Sequence, residues 1–255
     1  MKTLTIGLLQ APPGDREKVE RLASRVRDAS LVILPEYSGG LPGRQERGWT
    51  GFLERLSEKL GVAILAGIVE EEGGCRYSSV ALFEPGRGYR IVARKAILFD
   101  ALGVRESEVL CRGSLADRLL DINGLRVGVL ICYELRFPEV ARMLALQGAL
   151  LIAAPSAWYQ GPLKEEHLYC NARCRALENT VYLAVADLPG PRFAGRSMLV
   201  DPMGVVRLQL GAEPGYVEGE VDPGYVKEVR GRLPVLRDAS RLLGSKLPPE
   251  HGEPG

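Results

Sequence analysis

The sequence is poor in the residues that build histidine-dependent and metal-dependent sites. It holds two histidines, His167 and His251, among 255 residues. Few histidines are therefore available for the triad of a Cys-His-acid hydrolase, although such an enzyme stays open as an alternative. The five cysteines are an odd number without zinc-like pairs, which argues against a secreted disulfide framework and a cysteine-rich metal site. We expect no bound metal and at least one free thiol.

The sequence also lacks a bias of charge and a long apolar run. Lysine and arginine total 33 against 32 aspartate and glutamate residues, so no sign of charge favours nucleic acid or an anionic membrane. No stretch is long enough to span a bilayer, no nucleotide-binding loop is present, and residues 1–10 carry no basic leader or cleavage site. We expect a cytoplasmic protein that acts on a small molecule without an organic cofactor.

Apolar strands alternate with amphipathic helices along most of the chain. Hydrophobic residues make up 46% of the sequence, which is ample for a closed core, and no low-complexity linker divides it. This periodicity predicts one α/β domain with a mixed sheet. The predicted strands cover residues 4–10, 31–34, 62–69, 78–83, 89–93, 125–131, 149–154, 181–186, 198–201, 205–208 and 216–221, and the predicted helices cover residues 15–28, 49–60, 139–147 and 164–178.

Cys132 ends one of the predicted buried strands and has the setting of a nucleophile on a turn. The apolar residues 127–131 precede it, and Pro138 marks a change of backbone direction close to the next helix. Such a turn would expose the sulfur and leave backbone N–H groups free. The alternative is an inert core cysteine, because free cysteine is among the most buried residue types.

Glu36 and Lys95 each follow another predicted strand. A carboxylate at a strand end lies where open α/β sheets build their sites, and Lys95 leads straight into apolar sequence. Taken singly, Glu36 could be a solvated loop residue and Lys95 a surface side chain. Together with Cys132 they supply a proton acceptor, a positive charge and a sulfur nucleophile, which are the groups needed for covalent acyl transfer.

Three segments carry a resemblance to a known family. Residues 34–36 (Leu-Pro-Glu), residues 94–95 with 98–100 (Arg-Lys and Leu-Phe-Asp) and residues 128–139 (Gly-Val-Leu-Ile-Cys-Tyr-Glu-Leu-Arg-Phe-Pro-Glu) resemble, in order, the catalytic blocks of the nitrilase, or carbon-nitrogen hydrolase, superfamily. Two later segments, His167 with residues 172–179 and residues 195–197 with 201–204, are similar to its following helix and its C-terminal hairpin. The resemblance spans residues 4 to about 237.

The resemblance implies a fold, a catalytic triad and an assembly. The fold is a four-layer α-β-β-α sandwich with mixed sheets, formed by a single domain over residues 1–240 and followed by a partly flexible tail over 241–255. The triad is Glu36, Lys95 and Cys132, with Glu106 as a second glutamate and the Tyr133 backbone N–H as an oxyanion donor. Members usually dimerise through helices, so we expect a homodimer or a higher homo-oligomer.

Other residues are candidates to support the site or to contact substrate. Glu134 and Arg136 are expected to brace the nucleophile turn as an ion pair, and Trp158 and His167 are further candidates. Arg173 and Arg175 are alternative candidates to anchor a substrate carboxylate. Three positions depart from the commoner family pattern and leave the pocket shape open: Ile97 replaces histidine, Leu168 replaces tryptophan and Asp187 replaces asparagine.

The continuation after Cys132 resembles family members that act on small amides. We therefore expect hydrolysis of a small amide to a carboxylic acid and ammonia through a cysteine thioester. Hydrolysis of a nitrile or an N-carbamoyl group on the same triad is an alternative, and so is a non-catalytic member that binds a metabolite or serves as a scaffold. A redox-sensing thiol is a further alternative, because an activated thiolate is also oxidisable.

Overall fold

Two six-stranded sheets face each other in the computed structural model, which describes residues 2–244. The strands are β1 Leu4–Gln10, β2 Ala29–Ile33, β3 Ala63–Glu72, β4 Cys75–Glu84, β5 Gly88–Arg94, β6 Leu119–Ile122, β7 Leu125–Val129, β8 Leu151–Ser156, β9 Tyr182–Asp187, β10 Met198–Val200, β11 Val206–Gln209 and β12 Gly215–Val221. The helices are α1 Arg16–Ala23, α2 Trp49–Leu60, α3 Pro138–Leu146, α4 Lys164–Asn179, α5 Pro223–Arg232 and α6 Val235–Leu242.

Both sheets are mixed and share one plan. The first has the order β12-β1-β2-β3-β4-β5, and the second has the order β11-β10-β9-β8-β7-β6. In each sheet three parallel strands, β1-β2-β3 or β7-β8-β9, are flanked by antiparallel neighbours. Helices supply the crossovers between the parallel strands, as parallel pairing requires. The carboxyl ends of the parallel strands of each sheet therefore share one edge.

The layers follow from which face each strand residue presents. Leu8, Ile33 and Leu65 belong to the core between the sheets, whereas their neighbours Leu9, Val32 and Ile64 pack with residues of α1 and α2. This alternation is the two-residue period of a strand buried on both faces. Helices α3 and α4 cover the outer face of the second sheet. The predicted four-layer α-β-β-α sandwich is confirmed.

The structure refines the predicted elements. Helix α2 has the predicted bounds, and Asp15 caps α1 by accepting the Lys18 N–H at 2.8 Å, but α1 ends at Ala23 instead of residue 28. Strand β6 and helices α5 and α6 were not predicted. Helix α6 crosses the predicted domain boundary at residue 240. Residues 245–255 of the predicted tail, with His251, lie outside the described residues.

Two cysteines are paired and three are free. Cys75 and Cys111 form a disulfide with Cα atoms 5.8 Å apart, which joins the start of β4 to the loop after Glu106. Cys132, Cys170 and Cys174 are free, so the predicted free thiol is present. Within residues 2–244, no helix is long and apolar enough to cross a membrane.

Candidate active site

Acidic, basic and thiol side chains from separate segments converge at the ends of the two sheets. Glu36 follows β2, Lys95 follows β5 and Cys132 follows β7. The Lys95 Nζ atom lies 3.0 Å from Glu36 Oε1 and 2.9 Å from the carboxylate of Glu106. Lys95, Glu106 and Cys132 line one small pocket, together with Tyr37, Phe99, Tyr133, Arg136, Ala157, Trp158, Tyr159 and Lys164.

Glu36 is held by its backbone and by one oxygen of its carboxylate. A Cβ atom on Gly67 of β3 would come within 2.3 Å of the Glu36 Cα, so only glycine lets this segment pass so closely. The Ser78 hydroxyl donates to Glu36 Oε1 at 2.7 Å. Oε2 is buried and has no hydrogen-bond partner among the described residues. Burial raises the pKa of Glu36, which suits a carboxylate that must accept a proton near neutral pH.

Lys95 is a buried ammonium between two carboxylates. Burial alone would lower its pKa, but the neighbouring Glu36, Cys132 and Glu106 outweigh that effect, and its pKa lies above the usual range. An ammonium group has three N–H donors, and the two glutamates accept two of them. One donor therefore remains for a group bound in the pocket.

Glu106 lies in the 3₁₀ turn Glu106–Glu108 and is fixed from three sides. Besides Lys95, the Tyr37 hydroxyl donates to it at 2.8 Å and the Phe99 N–H at 2.7 Å. Glu108, two residues later, is directed to solvent, and 70% of its side chain is exposed. The structure thus brings Glu106, and not Glu108, to Lys95.

Cys132 lies on a strained turn at the start of the 3₁₀ segment Cys132–Arg136. Its φ of 45° is in the left-handed region, which L-residues rarely adopt and which often marks functional sites. Burial and the charge of Glu36 raise the pKa of the thiol, whereas Lys95 and a hydrogen bond from the Ala157 backbone N–H lower it. Burial dominates, so the resting sulfur carries a proton and needs a base to become a nucleophile.

Glu134 does not pair with Arg136, so the predicted ion pair is wrong. Its buried carboxylate pairs with the buried guanidinium of Arg118 and accepts the Ile131 N–H at 2.8 Å and the Ala96 N–H at 2.7 Å. It therefore ties the nucleophile turn to the segment that follows Lys95. Sequence reasoning missed Arg118 because the residue belongs to no motif and precedes a short strand that was not predicted.

Arg136 and Lys164 place two positive charges at the pocket. The Arg136 guanidinium lies 4.4 Å from the centre of the Trp158 ring, and Lys164 Nζ lies 5.5 Å from the centre of the Phe99 ring. Burial lowers the pKa of both cations, and their mutual repulsion contributes at Lys164. Neither cation is within ion-pair distance of a carboxylate in the described part of the chain. Sequence reasoning missed Lys164, because it looked there like an ordinary helix-start residue.

The remaining candidates lie outside the pocket. His167 Nδ1 is 3.5 Å from Arg136 and does not line the pocket. Arg173 donates to the Gly204 carbonyl, and Arg175 donates to the Leu135 carbonyl and pairs with Glu178. The prediction that either arginine anchors the substrate is therefore wrong. No cluster of three or more metal-ligating side chains occurs within residues 2–244.

The fold and the site define a class of protein. Two facing mixed sheets between helices, with buried glutamate, lysine and cysteine side chains at the strand ends, form the scaffold and functional groups of a thiol-dependent hydrolase. The family model for carbon-nitrogen hydrolases matches residues 12–231. The chain belongs to the carbon-nitrogen hydrolase family.

The curated relatives of this chain include amidases. A deaminated glutathione amidase of Escherichia coli O157:H7 is 35% identical over 225 residues, which cover 83% of this chain and 85% of the relative. The omega-amidase NIT2-A of Xenopus laevis is 33% identical over 225 residues, which cover 83% of this chain and 79% of the relative. The prediction of a cysteine-dependent amidohydrolase is confirmed.

Solved structures show the same fold over nearly the whole chain. Nit3 of Saccharomyces cerevisiae, a member of branch 10 of the nitrilase superfamily, has a TM-score of 0.77 at 25% identity and covers 92% of this chain and 95% of its own. An amidase of Nesterenkonia AN1 from the nitrilase superfamily has a TM-score of 0.74 at 26% identity, with 92% and 97% covered. The predicted family and fold are confirmed together.

Proposed function

We propose that Cys132, Glu36 and Lys95 act as one catalytic unit that hydrolyses a small amide to a carboxylic acid and ammonia. The observation that carries the proposal is the position of Lys95, which bridges Glu36 and Glu106 beside Cys132 at one pocket. Such an arrangement provides a nucleophile, a base and an oxyanion donor without a metal.

The first half-reaction forms a thioester. Glu36 takes the thiol proton, Cys132 Sγ bonds to the amide carbon, and the carbonyl oxygen becomes an oxyanion. The third N–H of Lys95 and the backbone N–H of Tyr133 donate to that oxygen. Glu36 then passes its proton to the amide nitrogen, the carbon–nitrogen bond breaks, and ammonia leaves.

The second half-reaction returns the enzyme to its resting state. Glu36 accepts a proton from a water molecule, whose oxygen attacks the thioester carbon, while Glu106 holds Lys95 and helps to orient the water. The carbon–sulfur bond breaks, the proton returns to sulfur, and the carboxylic acid leaves. Loss of one oxyanion donor typically costs about 3 kcal/mol of barrier, which gives the scale of what Lys95 contributes.

The proposed substrate carries a carboxylate at the end of its acyl group. Arg136 and Lys164 are two partly buried cations at the pocket without a carboxylate partner among the described residues. A bound anion would relieve their repulsion and restore the solvation they lose, and a planar guanidinium suits a carboxylate. The names of the omega-amidase and deaminated glutathione amidase relatives are compatible with this class.

The proposal extends to the whole protein. We propose a single catalytic domain over residues 1–240, which the family match over 12–231 supports. We also propose a homodimer or higher homo-oligomer that works in the cytoplasm without a cofactor, nucleic acid or membrane as partner. Sedimentation velocity over a range of concentrations tests the assembly, because a monomer at every concentration would contradict it.

Changing Cys132 to Ala tests the proposed function directly. We expect C132A to release no ammonia above background from a panel of small amides, because the sulfur forms the reactive bond. The exposed thiol variant C170A is the matched control and should keep full activity. If folded C132A keeps the activity of the wild type, the assignment of the nucleophile is wrong.

Changing Arg136 to Gln tests the substrate class. We expect KM for a carboxylate-bearing amide to rise by about tenfold or more, because a hydrogen bond to a charged group contributes roughly 1.5–3 kcal/mol. The KM for a neutral amide of similar size should change little in the same variant. Equal effects on both substrates would contradict a role for Arg136 in carboxylate recognition.

A further inference from the structure

Asp187 is a buried carboxyl group beside the nucleophile that the reaction steps above do not use. It is the last residue of β9 and pairs in register with Ser156, the last residue of β8. Asp187 is fully buried, and its backbone N–H donates to Ser197 Oγ at 2.9 Å. The end of β9 is thereby fixed, and the position of the carboxyl group is fixed with it.

The carboxyl group of Asp187 holds the turn that follows β8. Asp187 Oδ1 accepts the Trp158 backbone N–H at 2.7 Å. Ala157, the preceding residue of the same turn, lines the pocket together with Cys132, and its backbone N–H lowers the pKa of the Cys132 thiol. Because Asp187 holds the Trp158 N–H, it constrains the orientation of the neighbouring Ala157 N–H as well.

The surroundings of Asp187 favour its neutral form. No lysine, arginine or histidine forms an ion pair with it in the described part of the chain, and Oδ2 is buried without a hydrogen-bond partner there. Glu36 and Cys132 are its titrating neighbours, so an ionised Asp187 would add a second buried anion beside Glu36. Burial and the charge of Glu36 raise the pKa of Asp187 well above its usual range, although nearby backbone N–H groups lower it.

We propose that Asp187 is a positioning residue for the nucleophile. In its protonated form it holds the Ala157–Trp158 turn so that the backbone N–H of Ala157 points at the sulfur of Cys132. The carboxyl oxygen orients the N–H without adding a charge to the site. Another neutral side chain with an acceptor oxygen at this position would hold the turn in the same way, and a side chain without an acceptor would not. The inference rests on the proposed role of Cys132 as nucleophile.

The test compares D187N, which keeps a neutral acceptor, with D187A, which removes it. Both are made in a C170S/C174S background, because the two exposed thiols would otherwise react with the reagent. The first readout is the rate of Cys132 alkylation by iodoacetamide as a function of pH, which reports the thiol without any substrate. The second is kcat and KM for one amide, and the Tm of each variant reports folding.

We expect D187N to keep the alkylation midpoint of the background protein and a similar kcat. In D187A, loss of a hydrogen bond to the thiolate should raise the midpoint by about one pH unit and lower kcat by about tenfold, with KM little changed. A folded D187A with the background midpoint and kcat would overturn the proposal. An equal loss in D187N would overturn it too, because the amide keeps the acceptor.

A second measurement remains decisive if D187A does not fold. The infrared spectrum of the parent protein minus that of D187N at neutral pH should show the carbonyl band of a protonated carboxyl group. A carboxylate band in its place would overturn the proposal. Alkylation reports the thiol environment even in an inactive protein, so failure here is distinguishable from failure of the proposed amidase function, which C132A tests.

Discussion

Cys132, the proposed nucleophile, shows how much of a candidate site residue can be predicted from the sequence and how much cannot. The apolar strand before it and the turn after it predict an accessible sulfur, and the family blocks select it among five cysteines. Neither pattern predicts that its φ is 45° or that its sulfur is so buried that it keeps its proton. The pKa of the thiol depends on its burial and on Glu36, Lys95 and Ala157, which lie far from Cys132 in the sequence.

The raised pKa of the Asp187 carboxyl group makes the free energy of unfolding depend on pH. Its pKa is raised in the folded protein, so the folded state holds a proton that the unfolded state loses above a pH of about 4. Its contribution to the free energy of unfolding is full at low pH. That contribution falls by about 1.4 kcal/mol per pH unit until the pH reaches the pKa in the folded state.

The variant D187N removes this dependence while keeping the shape of the side chain. We expect the stability difference between D187N and the wild type to grow in favour of D187N as the pH rises above 5, by about 1.4 kcal/mol per unit while Asp187 keeps its proton in the folded protein. Urea unfolding at three pH values measures it, and the effect of Glu36 cancels because both proteins contain it. A difference that does not change with pH would show that Asp187 has an ordinary pKa.

At the scale of elements, the ion pair of Glu134 and Arg118 joins the loops that carry Lys95 and Cys132. Arg118 also donates to the Ser114 carbonyl at 2.9 Å and to the Arg94 carbonyl. One fully buried guanidinium thus holds the end of β5, the approach to β6 and the nucleophile turn together. The Glu134–Arg118 ion pair therefore helps to set the relative position of Lys95 and Cys132.

Changing Arg118 to Met should therefore destabilise the whole protein. We expect a loss of about 3 kcal/mol or more in the free energy of unfolding, because Glu134 would keep a buried charge without its cation. R232M breaks the exposed pair with Glu228 and should change stability by less than about 0.5 kcal/mol. Urea unfolding of both variants decides, and an R118M protein as stable as R232M would contradict the role assigned to this joint.

Helix α2 was predictable from its period, whereas strand β6 and helix α5 are weakly patterned and were not predicted. Helix α2 was predicted with its observed bounds because its apolar residues repeat at helical spacing and glycine stands at both ends. Strand β6 has only four residues, and α5 begins with Pro-Gly and contains Gly231, so neither carries a clear period. Tertiary packing, and not local preference, forms these elements.

At the scale of the whole molecule, the site exists because two sheets present their strand ends to each other. Glu36 and Lys95 come from the first sheet, and Cys132 and Asp187 come from the second. Sequence motifs identified the first three because each lies in a family block. Arg118 and Lys164 became visible only in three dimensions, since their roles depend on neighbours that no local pattern connects to them.

Trapping the acyl-enzyme is the measurement that tests the central claim most directly. An activated ester of the proposed acid should acylate Cys132 faster than the amide does, so that the thioester accumulates before water removes it. Acid quenching followed by intact-mass analysis and peptide mapping should find one acyl group, carried by Cys132 and released by hydroxylamine. Turnover of the ester without any adduct, or with the adduct on another residue, would contradict the account.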